Sequence, residues 1–383
     1  QQGEGYLAAT QTHFAKWRPS LTLDTQDWQP GMYLIRIKAS DRNDWFVPLV
    51  VRSASVSGRL VFVMSDLTWQ AYNNWGGRSA YEGPGGRPDR SRAVSFSRPY
   101  ANGSGSGKYL AHEHPVVVLA EAAGFPVSYV AASDIARGDG VLAGAAGVVF
   151  LGHDEYWTQD ERARVTQARD AGVDLAFLGA NTMYWRVRMD WNGPQQLPLE
   201  VIYKSAAEDP VGGAESTARF RDPPRGLTER ELIGQQYECF PATGKFTIAT
   251  PRFFGFAGTN VQKGDTIPAI LDIEVDRAYP GGPTPKNLEV VAASPTKCDG
   301  AATTSTATYY THSSGAGVFS TGTMGWVLRG LRDSAPTRAF DFTSKVTLNI
   351  MNAMISGQMG AQFPASPNLD RFDLPKRNTT GKA

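Results

Sequence analysis

Short apolar runs alternate with longer amphipathic stretches through the first half of the chain. RLVFVMSD (59–66), PVSYVAAS (126–133) and VDLAFLGA (173–180) read as strands, and VLAGAAGVVFLG (141–152) as a helix fragment or turn running into a strand. Strands that are apolar on both faces and separated by helical segments are the pattern of a parallel sheet covered on both sides. HEHPVVVLAEAA (112–123) predicts a helix with Pro115 near its first turn and Gly124 past its end. TQDERARVTQARDAG (158–172) predicts another, in which Thr158 and Glu161 form a capping box. SKVTLNIMNAMISG (344–357) predicts a terminal helix.

Outside this alternation the texture differs. GMYLIRI (31–37) and WFVPLVVR (45–52), around the polar turn SDRND, predict a β-hairpin. The first residues before it read as extended or irregular. After the strand at 59–66 comes a loop of about forty residues rich in Gly, Ser, Arg and aromatics, a length usually tied to function or disorder. From 200 to 310, Gly/Pro-rich stretches (DPVGGAES, RDPPRG, YPGGPTP) separate β-like runs such as KFTIAT and LEVVAAS. The fold class expected is therefore α/β, a mostly parallel sheet flanked by helices. Its expected organisation is an extended segment and hairpin over 1–55 and an α/β domain over 56–365. That domain carries a loop-rich β insertion at about 205–305, and a polar tail follows over 366–383.

Composition narrows the function classes. With 383 residues and a formal net charge of +1, the chain lacks the basic footprint of a nucleic-acid binder. No apolar window is long enough for a membrane-spanning helix. Cys239 and Cys298 both sit in polar, turn-rich sequence (QYECFPATG, PTKCDG), which favours one disulfide in an exported protein over two loop thiols. The chain starts at Gln1 without an apolar leader, which fits a mature secreted protein or a trimmed chain. A secreted location is the first expectation and a cytoplasmic one the alternative.

Common catalytic motifs fail on inspection. NGSGSGKY (102–109) resembles a phosphate-binding loop, but Asn102 occupies the first glycine's place and Tyr109 replaces the Mg²⁺-binding hydroxyl. No G-x-S-x-G elbow and no H-E-x-x-H motif occurs. His112-Glu113-His114 reads as the capped, solvated start of a helix. A better signal comes from strand ends, the rim where open α/β sheets bind ligands. VVFLGHDEYW places His153 and Glu155 just past one strand, two residues apart and so on one side of an extended chain. LTWQAYNNWGGRSAY (67–81) puts Tyr72 past a second, and LGANTMYWR puts Asn181 past a third.

Together GHDEYW, YNNWGG and GANTMYWR, preceded by GMYLIRI…FVPLVVR, resemble the large-subunit core of the N,N-dimethylformamidase family over about residues 20–355. The resemblance implies a class I glutamine-amidotransferase-like α/β domain and a mononuclear ferric iron held by two tyrosinates and a glutamate. It carries the glutamate onto Glu155, one tyrosine onto Tyr72 and the other onto Tyr33 in the hairpin. It also carries the neighbouring histidine onto His153, the asparagine onto Asn181 and the lysine onto Lys204 in VIYKS. It implies hydrolysis of a C–N amide-type bond, with a small subunit missing from this chain or a homo-oligomer in its place. Phenolate and carboxylate are hard donors suited to ferric iron acting as a Lewis acid. Two other readings stand beside it. One is a carbohydrate-active enzyme, a glycan hydrolase or lyase, using Glu155, His153 and Tyr72 as acid/base groups. The other is a binding module with no chemistry.

Overall fold

The structure, a computed structural model, describes residues 3–38, 40, 44–224, 226–332 and 334–375. Its centre is a nine-stranded mixed sheet. Five strands run parallel, in the spatial order Val127–Ala131, Leu60–Met64, Gly147–Phe150, Asp174–Phe177 and Gly317–Ser320. Numbered by appearance this is 2-1-3-4-5, a doubly wound order whose direction reverses between Leu60–Met64 and Gly147–Phe150.

Burial follows from the period-two geometry of a strand. Leu60, Phe62 and Met64 enter one core while Val61 and Val63 enter the other, and all five are fully buried. Each such side chain contributes roughly 1.5–3 kcal/mol on leaving water, so neither face of this sheet can be left open. Helix Thr337–Ile355 covers the first face through Val346, Ile350, Met351 and Met354. Helices Ala132–Arg137 and Gln159–Asp170 cover the second through Ile135, Val165 and Ala168. The capping box on the latter forms as expected, Glu161 N–H donating to Thr158 Oγ1 at 2.9 Å.

The segment expected as a β insertion builds the rest of this same sheet. Ala301–Thr311, Glu289–Cys298, Gln236–Gly244 and Asp272–Arg277 extend it antiparallel beyond Gly317–Ser320, so the sheet is mixed rather than mostly parallel. Cys239 and Cys298 lie inside these strands, buried, and form a disulfide with Cα atoms 5.8 Å apart. Their turn-rich sequence surroundings come from a bulged strand, with register shifts either side of Cys239.

Three other expectations are corrected. The first residues form a hairpin, Glu4–Leu7 with Thr12–Ala15. The long loop after Met64 contains helix Asp66–Tyr72, strand Ala93–Ser95 and helix Ser106–His112. The helix expected over 112–123 is two helices, Ser106–His112 and His114–Ala122, broken at Glu113 where φ is −128°. The 31–52 hairpin forms as Gly31–Lys38 with Asp44–Val51; residues 41–43 of its turn and 376–383 of the tail lie outside the described residues. The described part of that tail is tied down, with Asn368 Oδ1 accepting from Val290 N–H at 2.7 Å. Among the described residues no helix is long and apolar enough to cross a membrane.

A second, four-stranded sheet crosses the rim of the first. Its order is Ala93–Ser95, Leu197–Val201, Trp185–Gly193 and Tyr156–Thr158. Two of these strands begin directly after the strand-end loops that carry Glu155 and Asn181, and a third leads to Lys204.

Candidate active site

Loops following three neighbouring parallel strands converge at the carboxyl rim, where the strand order reverses. Leu60–Met64 runs into helix Asp66–Tyr72, whose last residue is Tyr72. Gly147–Phe150 leads to His153 and Glu155, and Asp174–Phe177 leads to Asn181. Asn181 sits at φ 58°, a left-handed conformation that Asn tolerates better than most residues, and its N–H donates to Asp276 at 2.8 Å.

Glu155 is the centre of the constellation, and it is buried. The Tyr72 hydroxyl donates to its Oε2 at 2.8 Å. A second phenol, Tyr81, donates across both oxygens at 2.7 and 2.8 Å, and lies 3.0 Å from the Tyr72 hydroxyl. The Asn181 side chain faces the same cavity as Glu155 and a second buried carboxylate, Glu274, and favours the charged form of both. His153 Nε2 lies 3.5 Å from Glu155 Oε2 and 3.5 Å from Glu274 Oε2.

Tyr33 is not brought here. It stays on the hairpin, its hydroxyl donating to Gln29 O at 2.8 Å and its ring against Trp28. Tyr81 is the phenol that pairs with Tyr72. The pairing has a local cause: Ala80 N–H donates to Ala71 O at 2.9 Å, folding the chain back onto the last turn of the helix. Tyr81 stands at the end of the run LTWQAYNNWGGRSAY, but nothing in that run tells which phenol turns inward. Glu274 had no sequence signal at all, since it comes from the antiparallel half.

Lys204 arrives from the second sheet, with φ 58°. Its ammonium lies 3.3 Å from the Tyr81 ring centre and 5.1 Å from that of Trp185. Lys108 lines the same cavity, 4.2 Å over the Tyr72 ring. His112 also lines the site, its ring centre 5.7 Å from that of His153, so the expectation of a solvated helix start fails for it. Glu113 is buried and accepts from Trp69 Nε1 at 2.8 Å.

Desolvation dominates the electrostatics. Burial raises the Glu155 carboxyl above its ordinary pKa, against the pull of Lys204 and the two phenols. Glu274 is pushed well up by burial and by the like charge of Glu155, the other carboxylate within 3.5 Å of His153. Burial pushes Lys204 down to about 7 and His112 down to about 3. It holds His153 well below its ordinary value, so the imidazole is neutral.

These groups line a cavity of about 610 Å³ walled by Tyr184, Trp185, Tyr237, Phe240, Met324 and Leu328. A larger cleft, about 850 Å³, lies between the hairpin and the strand Val127–Ala131, but it gathers no comparable set of titratable side chains. Among the described residues no three His, Cys, Asp or Glu side chains group so as to hold a metal. What converges instead is one carboxylate with two phenols, an all-oxygen donor set suited to a hard cation.

The fold and this pocket define a doubly wound α/β protein with an enzyme-type site of buried carboxylates, phenols and a depressed lysine at the sheet's carboxyl rim. The chain belongs to the N,N-dimethylformamidase beta subunit-like, C-terminal family, whose pattern matches residues 2–336. Membership suggests a hydrolase of the dimethylformamidase kind. Comparison with curated proteins gives no match.

Proposed function

We propose that this protein hydrolyses a C–N amide-type bond at the Glu155 cluster. The observation that carries the reading is the convergence of Tyr72, Tyr81 and Glu155 oxygens within hydrogen-bond distance of one another. Each phenol hydroxyl points its proton at the carboxylate; a ferric ion replacing those protons would be held by the same three side chains. When bound it supplies Lewis acidity toward an amide carbonyl and lowers the pKa of water. A cation there also reverses the local electrostatics, favouring the phenolate forms that burial now opposes.

The protein's own groups do the rest. Lys204 Nζ and the Asn181 amide provide donors for negative charge developing on the carbonyl oxygen, a contribution of a few kcal/mol in comparable sites. Glu274 Oε2, in its ionised form, accepts a proton from the attacking water, and neutral His153, between the two carboxylates, relays that same proton toward the leaving nitrogen. Apolar walls exclude competing water. The glycan reading loses ground, because Glu155 is enclosed by its donors rather than presented as a free acid. The Cys239–Cys298 disulfide favours an oxidising, exported setting. The family's description, that of a beta subunit, favours assembly with a further subunit.

The test is to purify the protein, measure iron and visible tyrosinate absorbance, and assay released amine across a panel of amides. Iron near one per chain, with turnover abolished in Glu155→Gln, is the expected result. Amide turnover that is undiminished by Glu155→Gln would refute the reading.

A further inference from the structure

The sequence run that failed as a phosphate-binding loop has a use at the site. In NGSGSGKY, Gly105 adopts φ 53° and packs so closely on Tyr100 that a Cβ would lie 2.4 Å from its ring. That tight turn starts helix Ser106–His112, which sends Tyr109 into the core and keeps Lys108 and His112, four residues apart, on the cavity side. Lys108 thus stands over the Tyr72 ring at the edge of the reacting cluster. Arg87 lines the same cavity from the exposed loop opposite. Among the described residues neither cationic side chain makes a direct ion pair or hydrogen bond, and Lys108 feels Glu155 and Glu274 only at longer range.

Two cations without a direct ion pair, at the mouth of an aromatic cavity, do not suit a small neutral amide. The volume of about 610 Å³ falls in the range of sites for drug-sized ligands, about 300–1,000 Å³. Its walls offer apolar surface through Tyr184, Trp185, Tyr237 and Phe240, the last half-exposed toward the opening. The inner carboxylates would repel an anion placed deep, so a charged group belongs at the rim, where Lys108 and Arg87 are.

We infer that the substrate is an anionic amide, a carboxylate-bearing molecule with an apolar or aromatic body of the N-acyl amino acid kind, whose carboxylate is held by Lys108 and drawn in by Arg87. The inference rests on the amide-hydrolase reading for the bond that is cleaved, but the anion preference can be measured without turnover. A charge-assisted contact at a partly desolvated site gives about tenfold or more in affinity.

The experiment is calorimetric titration of the whole protein with N-acetyl-phenylalanine and with its uncharged methyl ester, each also assayed for release of amine. Wild type should bind the acid about tenfold or more tightly than the ester, with the preference shrinking at high salt. Lys108→Gln should erase the ratio, Lys108→Arg should restore most of it, and Arg87→Gln should reduce it. If Lys108 merely balances the inner carboxylates, substitution shifts acid and ester together and the ratio stays, which overturns the inference. Equal binding of acid and ester by wild type, or no binding of either, also overturns it. Lys108-dependent preference for the acid without any amine release upholds anion recognition while counting against the amide-hydrolase reading.

Discussion

Substituting the two candidate tyrosines separately distinguishes the ligand set read from the sequence from the one that the geometry supports. Tyr81→Phe removes a hydroxyl that donates across both oxygens of a buried carboxylate, at 2.7 and 2.8 Å. A hydrogen bond to a charged or partly charged group is worth about 1.5–3 kcal/mol, and its loss leaves the buried oxygen short of a partner. For a chain of 383 residues the unfolding entropy near the midpoint is about 0.8 kcal/mol/K, so a loss of about 2 kcal/mol lowers Tm by about 2–3 °C. The fold should survive, because the ring still packs against Tyr72 and Tyr156. Tyr33→Phe removes a partly exposed hydroxyl bonded only to the Gln29 carbonyl, and should cost about 1 kcal/mol or less. The assay is iron content, visible absorbance and thermal melting of the three proteins prepared in parallel. Tyr81→Phe should lose bound iron and its colour while Tyr33→Phe keeps both. Loss of iron in Tyr33→Phe with retention in Tyr81→Phe would refute the assignment of Tyr81 as the second phenol.

Other expectations follow from single contacts. Glu274→Gln should lower kcat about 10²–10⁴-fold with Tm nearly unchanged, because the amide keeps the shape of the carboxylate and only the proton acceptor is lost; unchanged kcat would remove Glu274 from the chemistry. Reducing Cys239–Cys298, or replacing both with Ser, frees a segment of 59 residues and should destabilise by about 4 kcal/mol on the chain-entropy account, measured by denaturant titration with and without reductant. Asp209 accepts from Arg188 at 2.7 and 3.0 Å and from Thr217 and Val211, and these bonds hold its carboxyl down to about 2. Its folded value lies below its unfolded one, so its stabilisation is complete above about pH 4 and fades as pH falls toward 2. Asp209→Asn should cost about 1.5–3 kcal/mol at neutral pH and flatten that acid-side decline.

The parallel half of the sheet was legible because its strands are apolar on both faces and short, and because Thr158 and Glu161 announce a helix start in plain sequence. Its carboxyl rim was legible for the same reason: once three strands are placed, the residues after them are placed too. Glu155, His153, Tyr72 and Asn181 come together, and Lys204 joins them through the second sheet. The antiparallel half resisted reading because its strands are bulged. Register slips beside Cys239 and between Val290 and Ala292 break the two-residue period, so a strand looks like a series of turns.

The second phenol was illegible for a different reason. Periodicity reports which face of an element is buried, yet Tyr81 belongs to no regular element. Its position depends on a backbone bond from Ala80 to Ala71 and on a loop braced by Arg78 and Asp89 at 2.9 Å. Such contacts link residues nine to eleven apart with no repeating signature. Resemblance could supply a tyrosine, but the hairpin that carries Tyr33 gives its hydroxyl a nearby carbonyl and keeps it out of the pocket. Glu274 makes the same point from the other direction. It reaches His153 only because the antiparallel extension brings a strand from late in the chain beside the rim of the parallel half. The doubly wound half therefore determines where chemistry can happen, while the loop after Tyr72 and the antiparallel strands determine which side chains take part. Changes there should alter substrate and metal preference with less effect on folding than changes in Leu60–Met64 or Gly147–Phe150, whose residues are buried on both faces.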